Sequence, residues 1–327
     1  MRAIIVSKHG GPEVLVLNSD VPVPDIMPKE VLIHVHKCSV NYADIKTRRG
    51  TKGDNRFPYT PGIDAAGIIV KKGSDVTEFE VGQEVIAFPK QGSYAEYVAA
   101  NEDLCYAIPD GISMEQAAAC PTVAFLAYAL LTEVVKLQKK STVLIHSAAG
   151  GVGTTAIQIA RYLGASQIIG TVSSPRKEQV VIDAGADAVV WSRDKGFAET
   201  VKECTNGLGV DYVLDSVGGR VSEESLLCLK EYGTLLQFGN SSGQEGFIST
   251  NDLHASCRSI RGFSLGTTRK KKPSMLKPIA SKVFSLMESG ALRIHVGAEY
   301  KLEQAADAHA YLESRRSTGK IILDTSV

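Results

Sequence analysis

The sequence predicts an α/β protein in which a doubly wound parallel sheet follows an antiparallel, β-rich module. Three observations predict it. Residues 1–110 read as short strands cut by Gly, Pro, Asp and Asn clusters; from about 114 apolar residues recur at helical spacing; beyond 142, near-continuous apolar strands alternate with helices. Alternation of that kind argues for a parallel sheet covered on both faces. A length of 327 residues agrees with about two domains.

The strands of the first module are "RAIIV" (2–6), "EVLIHVHKCSV" (30–40), "AAGIIVKKG" (65–73), "QEVIAF" (83–88) and "AEYVAA" (95–100). A helical stretch, "MEQAAACPTVAFLAYALLTEVV", leads out of it. In the second region strands are expected at 142–146, 167–172, 188–191, 210–217, 233–239 and 259–265, with helices around 154–163, 176–184, 196–205 and 221–231. The helix "PIASKVFSLMESGAL" and the strand "GKIILD" come after that sheet is complete, so the tail is expected to return to the first module.

Composition excludes several function classes. Lysine plus arginine and aspartate plus glutamate both number 36, so no overall field gathers nucleic acid or an acidic membrane. Hydrophobic residues make up 44%, enough to fill two cores. Six cysteines, at 38, 105, 120, 204, 228 and 257, show no ligand-like spacing and read as reduced thiols of a cytoplasmic protein. The amino terminus has no signal-peptide core, and no uninterrupted apolar run reaches the ~18 residues of a membrane span.

The residues that carry chemistry begin at "HSAAGGVG" (146–153). Ala148, Gly150 and Gly153 stand at the spacing of a dinucleotide fingerprint, an A-x-G-x-x-G variant placed between a strand and a helix. Gly150, Gly151 and Val152 would bring backbone amides to a diphosphate at the positive end of the helix, and Gly153 would let that helix pack on the strand. The next strand ends in "GTVSSPRKEQ", with no acid where an NAD-binding protein places one to hold the ribose. Ser173, Ser174, Arg176 and Lys177 offer hydroxyls and cations suited to a ribose 2′-phosphate, which makes NADPH the expected cofactor. The competing reading is a polar helix start with solvated cations.

With these elements in place, the chain resembles the zinc-free quinone oxidoreductase (zeta-crystallin-like) branch of the medium-chain dehydrogenase/reductase superfamily. The likeness runs end to end through "KHGGPEVL" (8–15), "VNYAD" (40–44), "PGIDAAGIIVKKGSDV" (61–76), "GSYAEYV" (92–98), "HSAAGGVG", "LDSVGG" (214–219), "FGNSSG" (238–243) and "GKIIL" (319–323). The resemblance implies a GroES-like catalytic domain built from residues 1–124 and 267–327, a Rossmann domain over 125–266, an active site in the cleft between them, and a homodimer.

It also implies roles. Asn41 and Asp44 would lie beside the nicotinamide, with Tyr42 a possible proton donor; the alternatives are an Asx-type turn and a buried tyrosine. Phe238, Gly239 and Asn240 would flank the nicotinamide half at a strand's carboxyl end. Arg315 and Lys320 match basic positions that approach the cofactor from the tail, or are solvated charge. Trp191 replaces a tyrosine near the adenosine phosphate and has no hydroxyl to offer. Lys46, Tyr59 and Leu126 are expected at the substrate end, where Lys46 replaces a tyrosine and Leu126 a threonine; Lys46 would favour an anionic or polar substrate or face solvent.

Zinc-dependent relatives carry a cysteine in place of "NYAD" and a His-Glu pair in place of Ile63-Asp64, so no metal is expected here. His34 and His36 share one strand face without a third ligand. Quinones and conjugated carbonyls suit such a site, because hydride addition to them leaves a delocalised oxyanion that needs no Lewis acid. NADPH-dependent quinone reduction is the leading expectation, with an enone, enal or enoyl-thioester reductase as the alternative. The basic run "RKKKP" (269–273) reads as a solvated loop, and an RNA-binding or structural role stands as the reading of another class.

Overall fold

The computed structural model describes residues 1–53, 56–191 and 196–326. The chain divides into two compact units, one made of Met1–Phe125, Arg269–Ser289 and the residues from Ile294 onward, the other of Leu126–Thr268 and Gly290–Arg293. In chain order the elements are β1 (Ala3–Ile5), β2 (Val16–Asn18), β3 (Glu30–Val40), α1 (Tyr42–Arg48), β4 (Ala65–Lys72), β5 (Glu84–Ala87), β6 (Tyr97–Asn101), β7 (Cys105–Ala107) and α2 (Met114–Ala129). There follow β8 (Thr142–Ile145), α3 (Gly151–Tyr162), β9 (Gln167–Val172), α4 (Glu178–Asp183), β10 (Ala188–Trp191), α5 (Phe197–Cys204), β11 (Val210–Asp215), α6 (Arg220–Cys228) and β12 (Leu229–Gln237). The remainder are α7 (Thr250–Ser256), β13 (Ser259–Gly262), α8 (Leu265–Lys271), α9 (Leu276–Glu288), β14 (Val296–Lys301), α10 (Ala305–Glu313) and β15 (Lys320–Asp324).

The first unit is built on a sheet of order β14-β15-β3-β4-β5-β7, with β6 also on β3. Strand β3 is its spine: it pairs antiparallel with β4, β6 and β15, and eight of its eleven residues are buried. Its neighbours leave His34 and His36 on one half-buried face, with ring centroids 5.3 Å apart. Val31, Ile33, Val35, Val85, Tyr94 and Leu323 pack into the core of this unit.

The second unit is a six-stranded parallel sheet of order β10-β9-β8-β11-β12-β13, the doubly wound arrangement the alternating pattern calls for. Leu144, Ile169, Val190, Phe197, Val213 and Leu235 form its core. Helix α2 and the π-helical turn after it, Leu130–Val134, make a segment long and apolar enough to cross a membrane, but Ala117–Cys120, Leu130 and Leu131 are fully buried in protein.

Three readings of the sequence are corrected. The basic run is no loop: α8 extends through Lys271, and Arg269 lies with its guanidinium 4.7 Å from the centre of the Phe88 ring while Lys270 and Lys271 are exposed. The strand expected over 259–265 stops at Gly262, because Leu265 already starts α8. Helix α1 stands where a turn was one of the readings.

Candidate functional site

In the second unit, β8 ends at Ile145 and the chain turns through Ser147, which takes a left-handed φ of +52°. The turn is tied down by Ala148 N donating to Thr171 O at 2.9 Å and Gly150 N donating to Ser147 O at 2.9 Å. Gly150 then caps α3. A Cβ on Gly153 would lie 2.5 Å from both Cα and O of Ala148, so only glycine lets the first turn of α3 pack on the turn before it. Ala148, in turn, is tolerated at the first fingerprint position because Gly170 on β9 faces it: a Cβ on Gly170 would lie 2.7 Å from the Ala148 Cβ. Gly151 and Val152 occupy the first turn of α3, whose amides point away from the helix.

Strand β9 ends at Val172, beside Trp191 at the end of β10. Ser173 and Ser174 follow half-buried, and Pro175–Lys177 form one 3₁₀ turn with Arg176 exposed and Lys177 half-buried. The Trp191 indole, 44% exposed, donates its N–H to the Glu178 carboxylate. Glu178 is an acid the sequence reading passed over; it opens α4 next to the two cations.

At the neighbouring strand ends, Asp215 is fully buried and accepts from Val217 N at 2.7 Å, Gly218 N at 3.1 Å and the Ser222 hydroxyl. Phe238 N donates to Asp215 O at 3.0 Å and Ser241 N to Ser216 O at 3.0 Å, which laces the loop after β11 to the loop after β12. Phe238, Gly239 and Asn240 are half-buried there, and the Asn240 Oδ1 accepts from Gly243 N at 2.9 Å. The fingerprint turn, the Ser173–Lys177 segment and these loops all follow the carboxyl ends of parallel strands, where such sheets bind ligands.

In the first unit, Asn41 precedes α1 and Asp44 lies one turn in; the Asp44 Oδ2 accepts from Asn41 N at 2.8 Å and from the Tyr94 hydroxyl at 3.1 Å. The Asn41 amide is fixed at both ends. Its Nδ2 donates to Asp64 Oδ1 at 3.1 Å, and its Oδ1 accepts from Lys320 Nζ at 2.8 Å. Ser39 Oγ also donates to Asp64 Oδ1, at 2.5 Å. Asn41, Asp44, Asp64 and Lys320 are each at most 6% exposed. Burial, reinforced by the Asp64 charge, raises the Asp44 carboxyl to about 7, against the Asn41 and Tyr94 hydrogen bonds and Lys320. Burial lowers the Lys320 ammonium, with Asp64 and Asp44 opposing.

Around these groups Tyr42 is 39% exposed, not buried, and Lys46 is half-buried one helical turn beyond it. Tyr59 bridges to Val6 through its backbone, and its hydroxyl is buried without a hydrogen-bond partner among the described residues, as is Asp64 Oδ2. Leu126 is 8% exposed on α2. Arg315 is exposed in the turn after α10 with φ +57°, so of the two basic residues of the tail only Lys320 is brought to Asn41. Tyr94 is a member of this cluster that the sequence did not single out, and Asp64 was read only for the His-Glu pair it replaces; both lie inside motifs quoted above, and their distance in sequence from Asn41 hid their part.

Two family models match this chain, the alcohol dehydrogenase GroES-like domain over residues 27–110 and the zinc-binding dehydrogenase over residues 151–281. The quinone oxidoreductase of Sus scrofa is 35% identical over 326 residues, covering 99% of this chain and 97% of that protein. This chain belongs to the quinone oxidoreductase branch of the medium-chain dehydrogenases/reductases. Among solved structures, the Escherichia coli quinone oxidoreductase complexed with NADPH superposes with a TM-score of 0.93 at 33% identity, covering 99% of this chain and all of that one. A mycobacterial protein complexed with NADPH gives the same TM-score, identity and coverage.

The residues of this quinone oxidoreductase family member fit a pyridine dinucleotide. Gly153 lets the first turn of α3 pack on the fingerprint turn, which leaves that turn's amides at the head of the helix, and hydroxyls and cations stand at the end of β9. Among the described residues no three His, Cys, Asp or Glu side chains form a group that could hold a metal ion. Asp64 is hydrogen-bonded to Ser39 and Asn41.

Proposed function

We infer that the protein is an NADPH-dependent quinone oxidoreductase. The single observation that carries this reading is full-length similarity to quinone oxidoreductases joined to a fingerprint turn in which Gly153 cannot be replaced without a clash. When bound, NADPH supplies a hydride for the quinone.

The chain's own groups do the rest. The amides at Gly150–Gly153 would hold the diphosphate, and Ser173, Ser174, Arg176 and Lys177 would hold the ribose 2′-phosphate, with the Trp191 indole N–H donating to Glu178. Phe238, Gly239 and Asn240 take the nicotinamide half. Asn41, its amide oriented by Lys320 and Asp64, fixes the acceptor end. Asp44, raised to about 7, is partly protonated at neutral pH. Its Oδ2 holds two hydrogen bonds, so Oδ1 carries the proton that a quinone oxyanion takes up. Tyr42, exposed at the start of α1, Lys46, Tyr59 with its buried hydroxyl and Leu126 are assigned to the acceptor. Arg315 is assigned to the cofactor.

Steady-state kinetics with a panel of quinones and enones tests the reading. Quinones are expected to give the higher kcat/KM with NADPH; quinone turnover negligible beside enone turnover would make the protein an enone or enoyl-thioester reductase. Residence in the cytoplasm and a homodimeric state belong to the same proposal. Six free cysteines support the first, and light scattering on the purified protein checks the second.

A further inference from the structure

Asp44, Tyr94, His309, Arg48 and Glu313 form an unbroken polar chain inside the first unit. The Tyr94 hydroxyl lies 3.1 Å from Asp44 Oδ2 and 3.0 Å from His309 Nε2; His309 Nδ1 lies 3.2 Å from Arg48 Nη1, and Arg48 Nη2 lies 2.6 Å from Glu313 Oε1. Tyr94, His309 and Arg48 have no exposed surface. The chain leaves α1 at Arg48, crosses to α10 at His309, and returns to α1 one turn earlier at Asp44.

Its direction is fixed by chemistry. A guanidinium only donates, so His309 Nδ1 is the acceptor and the ring hydrogen sits on Nε2. That N–H points to the Tyr94 oxygen, and the single Tyr94 hydrogen is then given to Asp44. From Arg48 Nη1 through His309 and Tyr94 each donor faces the Asp44 carboxylate, while Arg48 Nη2 faces Glu313. Burial and the Arg48 charge hold His309 down to about 3, so it stays neutral and keeps this tautomer at working pH.

We propose that Tyr94 and His309 are positioning residues that govern the protonation of Asp44, with Arg48 setting the polarity of the relay from its far end. The proposal rests on the assignment of Asp44 to the acceptor's proton. Hydrogen bonds donated to a carboxylate favour its charged form, so the relay works against burial and against Asp64, in the same sense as Lys320. The other groups coupled to Asp44 are Cys38 on β3, Tyr59, Lys52 and Arg269.

The experiment is an infrared titration of the Asp44 carboxyl in the enzyme without nucleotide or acceptor, assigned by difference from D44N, together with pH profiles of quinone turnover. Tyr94→Phe removes one oxygen and is expected to move the Asp44 titration up by about one unit. His309→Leu should move it the same way by less, and His309→Gln, which keeps a donor toward Tyr94, should restore it. The turnover profile should shift with the infrared titration in each variant. An Asp44 titration unmoved in Tyr94→Phe overturns the relay. A titration that moves while turnover ignores it upholds the relay and overturns the assignment of Asp44 to the reaction.

Discussion

Lys320 Nζ donates to Asn41 Oδ1 at 2.8 Å and to the Val40 carbonyl at 3.1 Å, so the cation that opens β15 orients an amide just past the end of β3, the strand it pairs with. The C-terminal strand thereby completes the chemistry of residues nearly the whole chain away. Lys320→Met should release the Asn41 amide and lower kcat/KM for quinone about 10- to 100-fold. It should also destabilise the protein by about 3–5 kcal/mol, because Asp64 and Asp44 lose their buried counter-charge. Kinetics and thermal denaturation of the one variant check both.

The Gly153–Ala148 contact predicts a second outcome. A Cβ 2.5 Å from the Ala148 backbone forces α3 away from the fingerprint turn. Gly153→Ala is therefore expected to cost about 1–3 kcal/mol of stability and to weaken NADPH binding. Fluorescence titration with NADPH reads the second effect, and unchanged binding would place the dinucleotide elsewhere.

Cofactor choice is tested at Lys177. One charge-assisted hydrogen bond is worth about 1.5–3 kcal/mol, so Lys177→Ala should cut NADPH affinity about ten- to a hundredfold and leave NADH affinity unchanged. Competitive titration of both nucleotides measures this. Equal affinities in the parent protein would reject the assignment.

Two buried histidines set an acid limit. His146, hydrogen-bonded to Thr171 and Ser225, is lowered to about 4 by burial, and His309 to about 3. Each stays neutral in the folded protein while the unfolded chain binds a proton below about 6.5. Stability is therefore full above that pH and lost as pH falls toward 4, and denaturant melts at pH 7 and 4.5 should differ accordingly. Asp44 acts with the opposite sign: raised to about 7, it favours folding below its unfolded value and withdraws that support as pH rises to 7. The advantage of D44N over the parent should grow from pH 4 to pH 7 and then level off.

The parallel sheet and the fingerprint turn were legible in the sequence because each depends on neighbours in the chain: apolar strands, amphipathic helices and a glycine at Gly153 that one turn of backbone explains. The stretch at α1 carried a signal that was not used, Asn41 and Asp44 three residues apart, which is the spacing of a helix start. Strand β14 alternates between half-buried and exposed positions and so offers little apolar pattern to read. The grouping of Asp64, Tyr94 and His309 around Asn41 and Asp44 was not legible, since α10 brings His309 from more than 260 residues away; Lys320 was expected to approach the cofactor from the tail, and its bond to Asn41 was not foreseen. Trp191 was read by what it lacks, whereas its N–H is what it uses.

The central claim is tested most directly by competition. The enzyme is given limiting NADPH deuterated at the reactive carbon, with equal quinone and enone, and the products are read by mass spectrometry. Hydroquinone should accumulate while the enone stays unlabelled. A deuterated saturated ketone formed beside untouched quinone would contradict the account.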